Sequence, residues 1–200
     1  MEDYKEIDEK KAALRREVSL KKALFLSGNY QKERAVQSGY IKKKLEESLA
    51  FSNARMILLY ASLPDEVDTD EWISQWSQTK TIVMPCVGSS EEPLLRTFTG
   101  WNKMEIEPRF GIRQPLGPAC TDFTSIDLAI LPGVAFDGNN RRLGRGKGYY
   151  DRLLPYLSKA FRIGVCFHFQ LVPHIPVGPL DMPVDAVYRG ISSGKTTTSL

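Results

Sequence analysis

Four short and almost uninterrupted apolar runs constrain the fold of this chain more than any other feature. They cover residues 54–62, 81–87, 126–131 and 161–167. Apolar runs of this length without alternation are typical of strands that are buried on both faces of a parallel sheet. Because parallel strands need long crossover connections, we expect helices between the runs.

Amphipathic segments precede and separate these runs. Apolar residues recur at near-helical spacing over residues 4–26 and again over residues 30–51, which predicts two helices. A third helix is predicted over residues 70–78, with Asp68 and Glu71 as an acidic variant of a capping box. The first half therefore reads as two helices followed by a strand, a helix and a strand.

The second half repeats this order with more interruptions. Residues 148–159 predict a helix that Pro155 should kink or interrupt. Residues 94–100 alternate like a strand with an exposed face, whereas residues 107–120 are rich in Pro and Gly and are interpreted as a loop. The sequence predicts an α/β protein with an open, mostly parallel sheet flanked by helices.

Length and charge limit the classes of function. A chain of 200 residues with 42% apolar content suffices for one domain, predicted over residues 1–192 with a flexible tail over residues 193–200. The net charge of +3 is too small to indicate a nucleic-acid partner. No run reaches the roughly 20 apolar residues of a membrane span, and no signal peptide is visible. We expect a cytoplasmic monomer that binds small molecules and neither nucleic acid nor membrane.

The stretch GNNRRLGRGKGYYD, residues 138–151, is the strongest candidate for a binding site. It follows the run over residues 126–131, and ligands of open α/β sheets bind beyond the carboxyl ends of the strands. Glycines let backbone N–H groups approach a phosphate, and a helix beginning near Gly148 would add a positive dipole. The stretch fits neither a Walker A loop nor a dinucleotide fingerprint. Its charge is carried by Arg141, Arg142, Arg145 and Lys147.

Each feature of this stretch has a structural alternative. The cations also fit a solvated basic turn. Asp151 fits a Mg²⁺ ligand behind a phosphate site and equally an acid in the first turn of a helix. Tyr149 and Tyr150 fit stacking on a flat ring or packing in the core. Elsewhere, His168 and His174 favour structural roles over metal binding, and three distant cysteines favour a reducing compartment over disulfides or zinc.

Residues 131–154, LPGVAFDGNNRRLGRGKGYYDRLL, resemble the signature of the 5-formyltetrahydrofolate cyclo-ligase family. Three further segments agree with the family in order, namely KAALR at residues 11–15, YASLPDEVDT at residues 60–69 and LDMPVDAVY at residues 180–188. The resemblance implies a fold like that of sugar-phosphate isomerases and CoA transferases. It also implies ATP- and Mg²⁺-dependent conversion of 5-formyltetrahydrofolate to 5,10-methenyltetrahydrofolate.

The resemblance also implies residue roles. Asp151 and Asp181 match the metal positions, and Gln114 departs from the acidic residue that many members carry there. The implied catalytic residues are Arg145, Lys147 and Tyr149. The implied ATP-binding residues are Lys11, Arg15, Arg142, Gly144, Arg145, Gly146, Lys147, Gly148, Tyr149 and Tyr150. The implied folate-binding residues are Ala61, Glu66, Arg145, Gly146, Lys147, Gly148 and Tyr149.

Two other classes of function compete with a ligase. A non-catalytic folate-binding or storage protein on the same fold would keep Glu66 but would not need Asp151 and Asp181. A basic RNA-binding protein would use RRLGRGKG, yet such a protein is expected to show a wider basic stripe with interleaved aromatics. An ATP-dependent ligase accounts for more of the sequence.

Overall fold

The computed structural model describes residues 4–87 and 92–193. Its α-helices are α1 Tyr4–Ser27, α2 Tyr30–Glu46, α3 Leu49–Asn53, α4 Asp70–Trp76 and α5 Tyr149–Leu153. Its strands are β1 Met56–Leu58, β2 Thr81–Cys86, β3 Leu94–Thr97, β4 Met104–Glu107, β5 Ile112–Pro115, β6 Leu128–Leu131, β7 Ala135–Asp137, β8 Arg142–Leu143, β9 Phe161–Cys166, β10 Leu171–Val172 and β11 Ala186–Arg189.

The central sheet has six strands in the order β11-β9-β6-β1-β2-β3. All neighbouring pairs are parallel except β2 and β3. The predicted open, mostly parallel α/β sheet is therefore confirmed, and each of the four apolar runs supplies one of its parallel strands. The edge strand β3 lies within the predicted exposed strand and is antiparallel.

Burial of both faces explains why the apolar runs do not alternate. Ile57 and Ile163 face one layer, where they join Trp72 of α4 and a cluster that includes residues of α2. Leu58 faces the opposite layer, where it joins Leu153 of α5. Each parallel strand thus needs apolar side chains at successive positions, because helices and loops cover both sides of the sheet.

Two helix predictions need correction. The predicted helix over residues 30–51 ends at Glu46, because Ser48 starts the separate helix α3 with its hydroxyl accepting a hydrogen bond from the Phe51 N–H. The predicted capping box does not form. Thr69 is the N-cap of α4, while the Asp68 carboxylate accepts from the Asp70 N–H and pairs with Arg34.

The predicted loop over residues 107–120 is wrong in its first part. Glu107 ends β4 and residues 112–115 form β5, and the two strands pair as an antiparallel hairpin. Pro and Gly are uncommon in strands, so the composition did not indicate β5, which is stabilised by pairing with the neighbouring strand β4. The predicted interruption at Pro155 is confirmed, since α5 ends at Leu153 and the 3₁₀ turn Leu154–Tyr156 follows.

Residues 194–200, most of the predicted flexible tail, lie outside the described residues. Within residues 4–87 and 92–193, none of the helices has the length and apolar character that crossing a membrane requires.

Candidate functional site

A cleft of about 430 Å³ opens at the edge of the sheet where β1, β2 and β6 end. One wall is the segment between β1 and α4, which contributes Ala61 and Glu66. The opposite wall is the loop over residues 144–148 that follows β8, which we call the cationic loop. The neighbouring positions of β1 and β6 in the sheet bring these walls together.

The glycines of the cationic loop adopt a backbone that other residues rarely take. Gly146 has φ of +87° and Gly148, the N-cap of α5, has φ of +64°. Arg15 of α1 fixes the start of the loop, because its Nε donates a 2.9 Å hydrogen bond to the Gly144 carbonyl. Arg15, near the start of the sequence, therefore meets the predicted loop 129 positions further along the chain.

The cations of this region have different environments. Arg142 is buried, its guanidinium lies 2.8 Å from Asp151 and 5.3 Å from the centre of the Tyr150 ring, and its Nε has no hydrogen-bond partner among the described residues. Arg145 is half-exposed and reaches across the cleft. In the part of the chain that the structure describes, no carboxylate lies within ion-pairing distance of the Lys147 ammonium. The Lys147 side chain is exposed and lines the cleft.

Arg145 joins the two walls of the cleft through a pair of carboxylates. Its Nη2 lies 2.9 Å from Glu66 and 3.2 Å from Asp65. Asp65 also accepts a 2.5 Å hydrogen bond from Lys22 of α1. Burial opposes ionisation of Asp65, but the hydrogen bonds and charges of Lys22 and Arg145 outweigh it and lower its pKa. The predicted folate residue Glu66 thus pairs with Arg145, which is predicted to bind both ATP and folate.

The two tyrosines lie against each other edge to face, with ring centres 5.4 Å apart. Both line the cleft, and the Tyr149 hydroxyl donates to the Leu94 carbonyl at 3.1 Å. Burial raises the pKa of both side chains above the ordinary tyrosine value. At neutral pH they therefore form a neutral aromatic wall.

The two predicted metal residues each bind a cationic side chain. Asp151 binds Arg142, and Asp181 pairs with Lys11 of α1 and accepts from the Gly178 N–H at 2.6 Å. Asp181 and Arg142 border a second cavity of about 380 Å³, so Arg142 lies between the regions of the two carboxylates. Across residues 4–87 and 92–193, no three His, Cys, Asp or Glu side chains form a group suited to a metal ion.

The histidines have polar partners elsewhere in the fold. The His168 ring nitrogen Nδ1 lies 3.0 Å from the Gln37 amide, and Nδ1 of His174 lies 3.0 Å from Arg141. Arg141 also lies 3.8 Å from the buried Asp137. Three of the four cations in the stretch over residues 138–151 thus pair with a carboxylate, namely Arg141, Arg142 and Arg145.

Sequence reasoning missed Asp65 and Lys22, which lie 43 positions apart. The only feature of the sequence that could have indicated Asp65 as a site residue is its position next to the predicted folate residue Glu66. It also missed the hairpin turn beside the cleft, which carries Arg109 and Phe110, because that turn was assigned to a loop.

The cleft of this open α/β sheet sets a glycine-rich cationic loop against carboxylates, an arrangement typical of α/β proteins that bind anionic ligands beyond the ends of their strands. Comparison with known proteins narrows this class. The sequence model described as the 5-formyltetrahydrofolate cyclo-ligase family matches residues 7–190. The chain belongs to this family, which confirms the resemblance of the sequence motifs.

Individual relatives agree with the family assignment. The chain is 32% identical over 177 residues to the mouse 5-formyltetrahydrofolate cyclo-ligase, covering 78% of this chain and 83% of the relative. It is 31% identical over 145 residues to the enzyme of that name from Escherichia coli, covering 67% and 77%. The solved structure of Aquifex aeolicus 5,10-methenyltetrahydrofolate synthetase superposes with a TM-score of 0.77 at 27% identity, covering 95% and 96%. Members of this family are ATP-dependent ligases.

Proposed function

We propose that this chain converts 5-formyltetrahydrofolate to 5,10-methenyltetrahydrofolate with ATP, releasing ADP and phosphate. Membership of the family supports the reaction. The observation that carries the proposal for the site is the pairing of Arg145 with Glu66 across the cleft. It sets a group suited to phosphate within 2.9 Å of a group suited to the hydrogen-bond donors of a pterin ring.

The reaction needs an activated formyl oxygen. A formamide oxygen is a poor leaving group, and phosphorylation by ATP turns it into an imidate phosphate. Folate N10 then attacks the formyl carbon, the ring closes and phosphate leaves. Because no protein nucleophile is required, catalysis depends on positioning and on neutralising the charge of the transferred group.

The cationic loop supplies that neutralisation. Lys147 and Arg145 bind the transferred phosphoryl group, and Tyr149 forms an aromatic wall that orients the folate. Lys11 and Arg15 of α1 and Arg142 bind the nucleotide together with Tyr150. Gly144, Gly146 and Gly148 let the backbone approach both substrates. Two observations support these roles. Arg15 is bonded to the Gly144 carbonyl, and one cleft is lined by Arg142, Gly144, Arg145, Lys147, Gly148, Tyr149 and Tyr150.

Ala61 and Glu66 bind the pterin part of the folate. Glu66 is nearly buried, and its second oxygen accepts a 3.0 Å hydrogen bond from the Leu63 N–H, which fixes the carboxylate. When a pterin donor replaces Arg145 at the other oxygen, Arg145 becomes available to the phosphoryl group. Folate binding thereby prepares the anion site.

Asp151 and Asp181 would hold Mg²⁺ together with the phosphates of ATP. Mg²⁺ usually takes one or two carboxylates, phosphate oxygens and several waters, so two separate carboxylates next to an anion site suit it. When bound, Mg²⁺ neutralises charge on the phosphates. The buried Arg142 Nε has no hydrogen-bond partner within the described residues, and it belongs to the guanidinium that pairs with Asp151, which supports a site that an anionic ligand completes.

An absorbance assay tests the reaction. The protein is incubated with 5-formyltetrahydrofolate and MgATP, and formation of the methenyl chromophore is followed in the near ultraviolet. We expect a signal only when folate, ATP and Mg²⁺ are all present. A signal without ATP, or no signal in the complete mixture, would contradict the proposal. A cytoplasmic location and a monomeric state stay predictions, testable by fractionation and by light scattering.

A further inference from the structure

Arg34 of α2 binds the segment that carries Glu66 at four points. This segment, residues 59–69, joins β1 to α4 and contains neither a helix nor a strand. The Arg34 guanidinium donates hydrogen bonds to the Glu66 carbonyl at 3.0 Å, the Leu63 carbonyl at 3.4 Å, the Ser62 hydroxyl at 3.1 Å and the Asp68 carboxylate. Because a guanidinium is planar and rigid, its bonds fix these groups relative to one another.

Two of these bonds hold the turn that orients the Glu66 carboxylate. Within the turn, the Glu66 N–H donates to the Leu63 carbonyl at 3.0 Å, and Glu66 Oε2 accepts from the Leu63 N–H at 3.0 Å. Arg34 binds the carbonyl groups of both residues, so it fixes both ends of the turn. The other carboxylate oxygen is thereby presented to the cleft, where it meets Arg145.

Arg34 itself lies outside the cleft that this turn faces. Its side chain is 20% exposed, and neither Arg34 nor Asp68 is part of the cleft lining. One helical turn further along α2, the buried Ser38 hydroxyl accepts a 2.9 Å hydrogen bond from the Asp68 N–H. Within residues 4–87 and 92–193, the hydrogen bonds of the Arg34 guanidinium all go to the segment over residues 59–69. Arg34 therefore acts on the wall that carries Glu66 and not on the space that a substrate would fill.

We propose that Arg34 is a positioning residue for Glu66, an inference that rests on the function proposed above. Arg34 holds the Glu66 carboxylate where the pterin donors need it before the folate binds. A segment without helix or strand must otherwise be ordered at the moment of binding, and that ordering lowers affinity. Folate affinity therefore depends on Arg34 although the two never touch, whereas nucleotide affinity does not.

Calorimetric titration tests this role independently of catalysis. The wild-type protein and the Arg34→Gln variant are each titrated with 5-formyltetrahydrofolate and, separately, with MgATP. We expect Arg34→Gln to bind the folate about three- to tenfold more weakly, the range for ordering one additional side chain on binding, and to bind MgATP as the wild-type protein does. A loss of folded protein would lower the number of binding sites for both ligands and would not change one affinity alone.

Arg34→Lys is the second variant. It keeps the positive charge next to the Asp68 side chain, which is itself 36% exposed, so we expect this protein to fold. A single ammonium group cannot replace the planar fork that reaches two carbonyls, a hydroxyl and a carboxylate, so folate affinity should still fall. An Arg34→Lys protein with wild-type folate affinity would reduce the role of Arg34 to its charge and overturn the inference.

Arg162→Gln is the matched control. The Arg162 side chain is also 20% exposed, and its guanidinium donates to the Asp185 carboxylate outside the cleft lining. Arg162→Gln should lower the melting temperature in the same way as Arg34→Gln but keep the wild-type folate affinity.

Four further results would overturn the role of Arg34. They are an Arg34→Gln protein with wild-type folate affinity, equal weakening of folate and MgATP in that variant, an equal loss of folate affinity in Arg162→Gln, and a wild-type protein that binds no folate. A wild-type protein that shows the expected affinities but forms no methenyl product would overturn the proposed reaction and leave the role of Arg34 standing.

Discussion

Arg145 and Lys147 lie two positions apart in the sequence, but their side chains have different surroundings in the fold. Arg145 pairs with Glu66 and Asp65, whereas Lys147 lines the cleft with no carboxylate of the described residues within ion-pairing distance. A cation without an internal partner costs little stability to remove. Lys147 therefore gives a cleaner test of the cationic loop than Arg145, whose removal would also leave two carboxylates unpaired.

We predict that Lys147→Ala lowers kcat about a hundredfold or more at an unchanged melting temperature, because loss of one preorganised donor costs roughly 2.7 to 4 kcal/mol of barrier. Steady-state kinetics and thermal denaturation measure the two effects. Lys159→Ala, which removes an exposed lysine outside the cleft, should leave both unchanged. A Lys147→Ala enzyme with near-normal turnover would exclude Lys147 from phosphoryl transfer.

Glu66→Gln should weaken folate binding roughly ten- to a hundredfold, the range for loss of a charge-assisted hydrogen bond. Nucleotide affinity should not fall, because Arg145 loses a competing carboxylate. Titration with each substrate separately measures both affinities. Asp65→Asn is the control: it also loosens Arg145 but keeps Glu66, so its folate affinity should stay near the wild-type value. If Glu66→Gln lowered the affinities for folate and for nucleotide equally, Glu66 would not be a residue that binds folate alone.

At the scale of elements, the edge strand β11 is held by one ion pair at its start. Asp185 precedes β11 and accepts hydrogen bonds from the N–H of Arg162 at 2.7 Å and from its guanidinium at 2.9 and 2.7 Å. Arg162 belongs to β9, and the two strands pair in parallel. The hydrogen bond to Arg162 is the main cause of the lowered pKa of Asp185. The pair therefore fixes the register of the last strand.

We predict that Asp185→Asn lowers the free energy of unfolding by about 1 kcal/mol at pH 7, where the carboxylate is ionised. The folded pKa lies below the ordinary value of 3.8, so this contribution is present above that value and disappears as the pH falls through the folded pKa. Urea unfolding should show that the difference in free energy of unfolding between the wild-type protein and Asp185→Asn is smaller near pH 3 than at pH 7. An advantage that is constant with pH would rule out the ion pair as its source.

The two predicted metal residues belong to different elements, with Asp151 in α5 and Asp181 in the segment before β11. If both help to hold Mg²⁺, Asp151→Asn and Asp181→Asn should each raise the Mg²⁺ concentration that gives half-maximal activity, since an amide is a weaker ligand for this cation. Melting temperatures are measured alongside. An unshifted Mg²⁺ curve with a lowered melting temperature would limit the carboxylates to their pairs with Arg142 and Lys11.

At the scale of the whole molecule, α1 connects three distant parts of the chain around the cleft. Lys11 pairs with Asp181 near the C-terminal strand, Arg15 binds the Gly144 carbonyl of the cationic loop, and Lys22 binds Asp65. The sequence predicted this helix but not its contacts, because amphipathic spacing identifies a buried face and not the segments that it touches.

The sequence by itself determined the parallel sheet, the helices around it and the position of the cationic loop after β6. Strands buried on both faces must be apolar at successive positions, and this requirement is local. Only the tertiary structure decided that Arg145 meets Glu66, 79 positions away, and that residues 112–115 form a strand. The order of strands in the sheet sets β6 beside β1, and the antiparallel partner β4 stabilises β5. Neither strand pairing can be recognised from hydrophobic periodicity, because periodicity shows which face of a segment is buried and not which other segment packs against it.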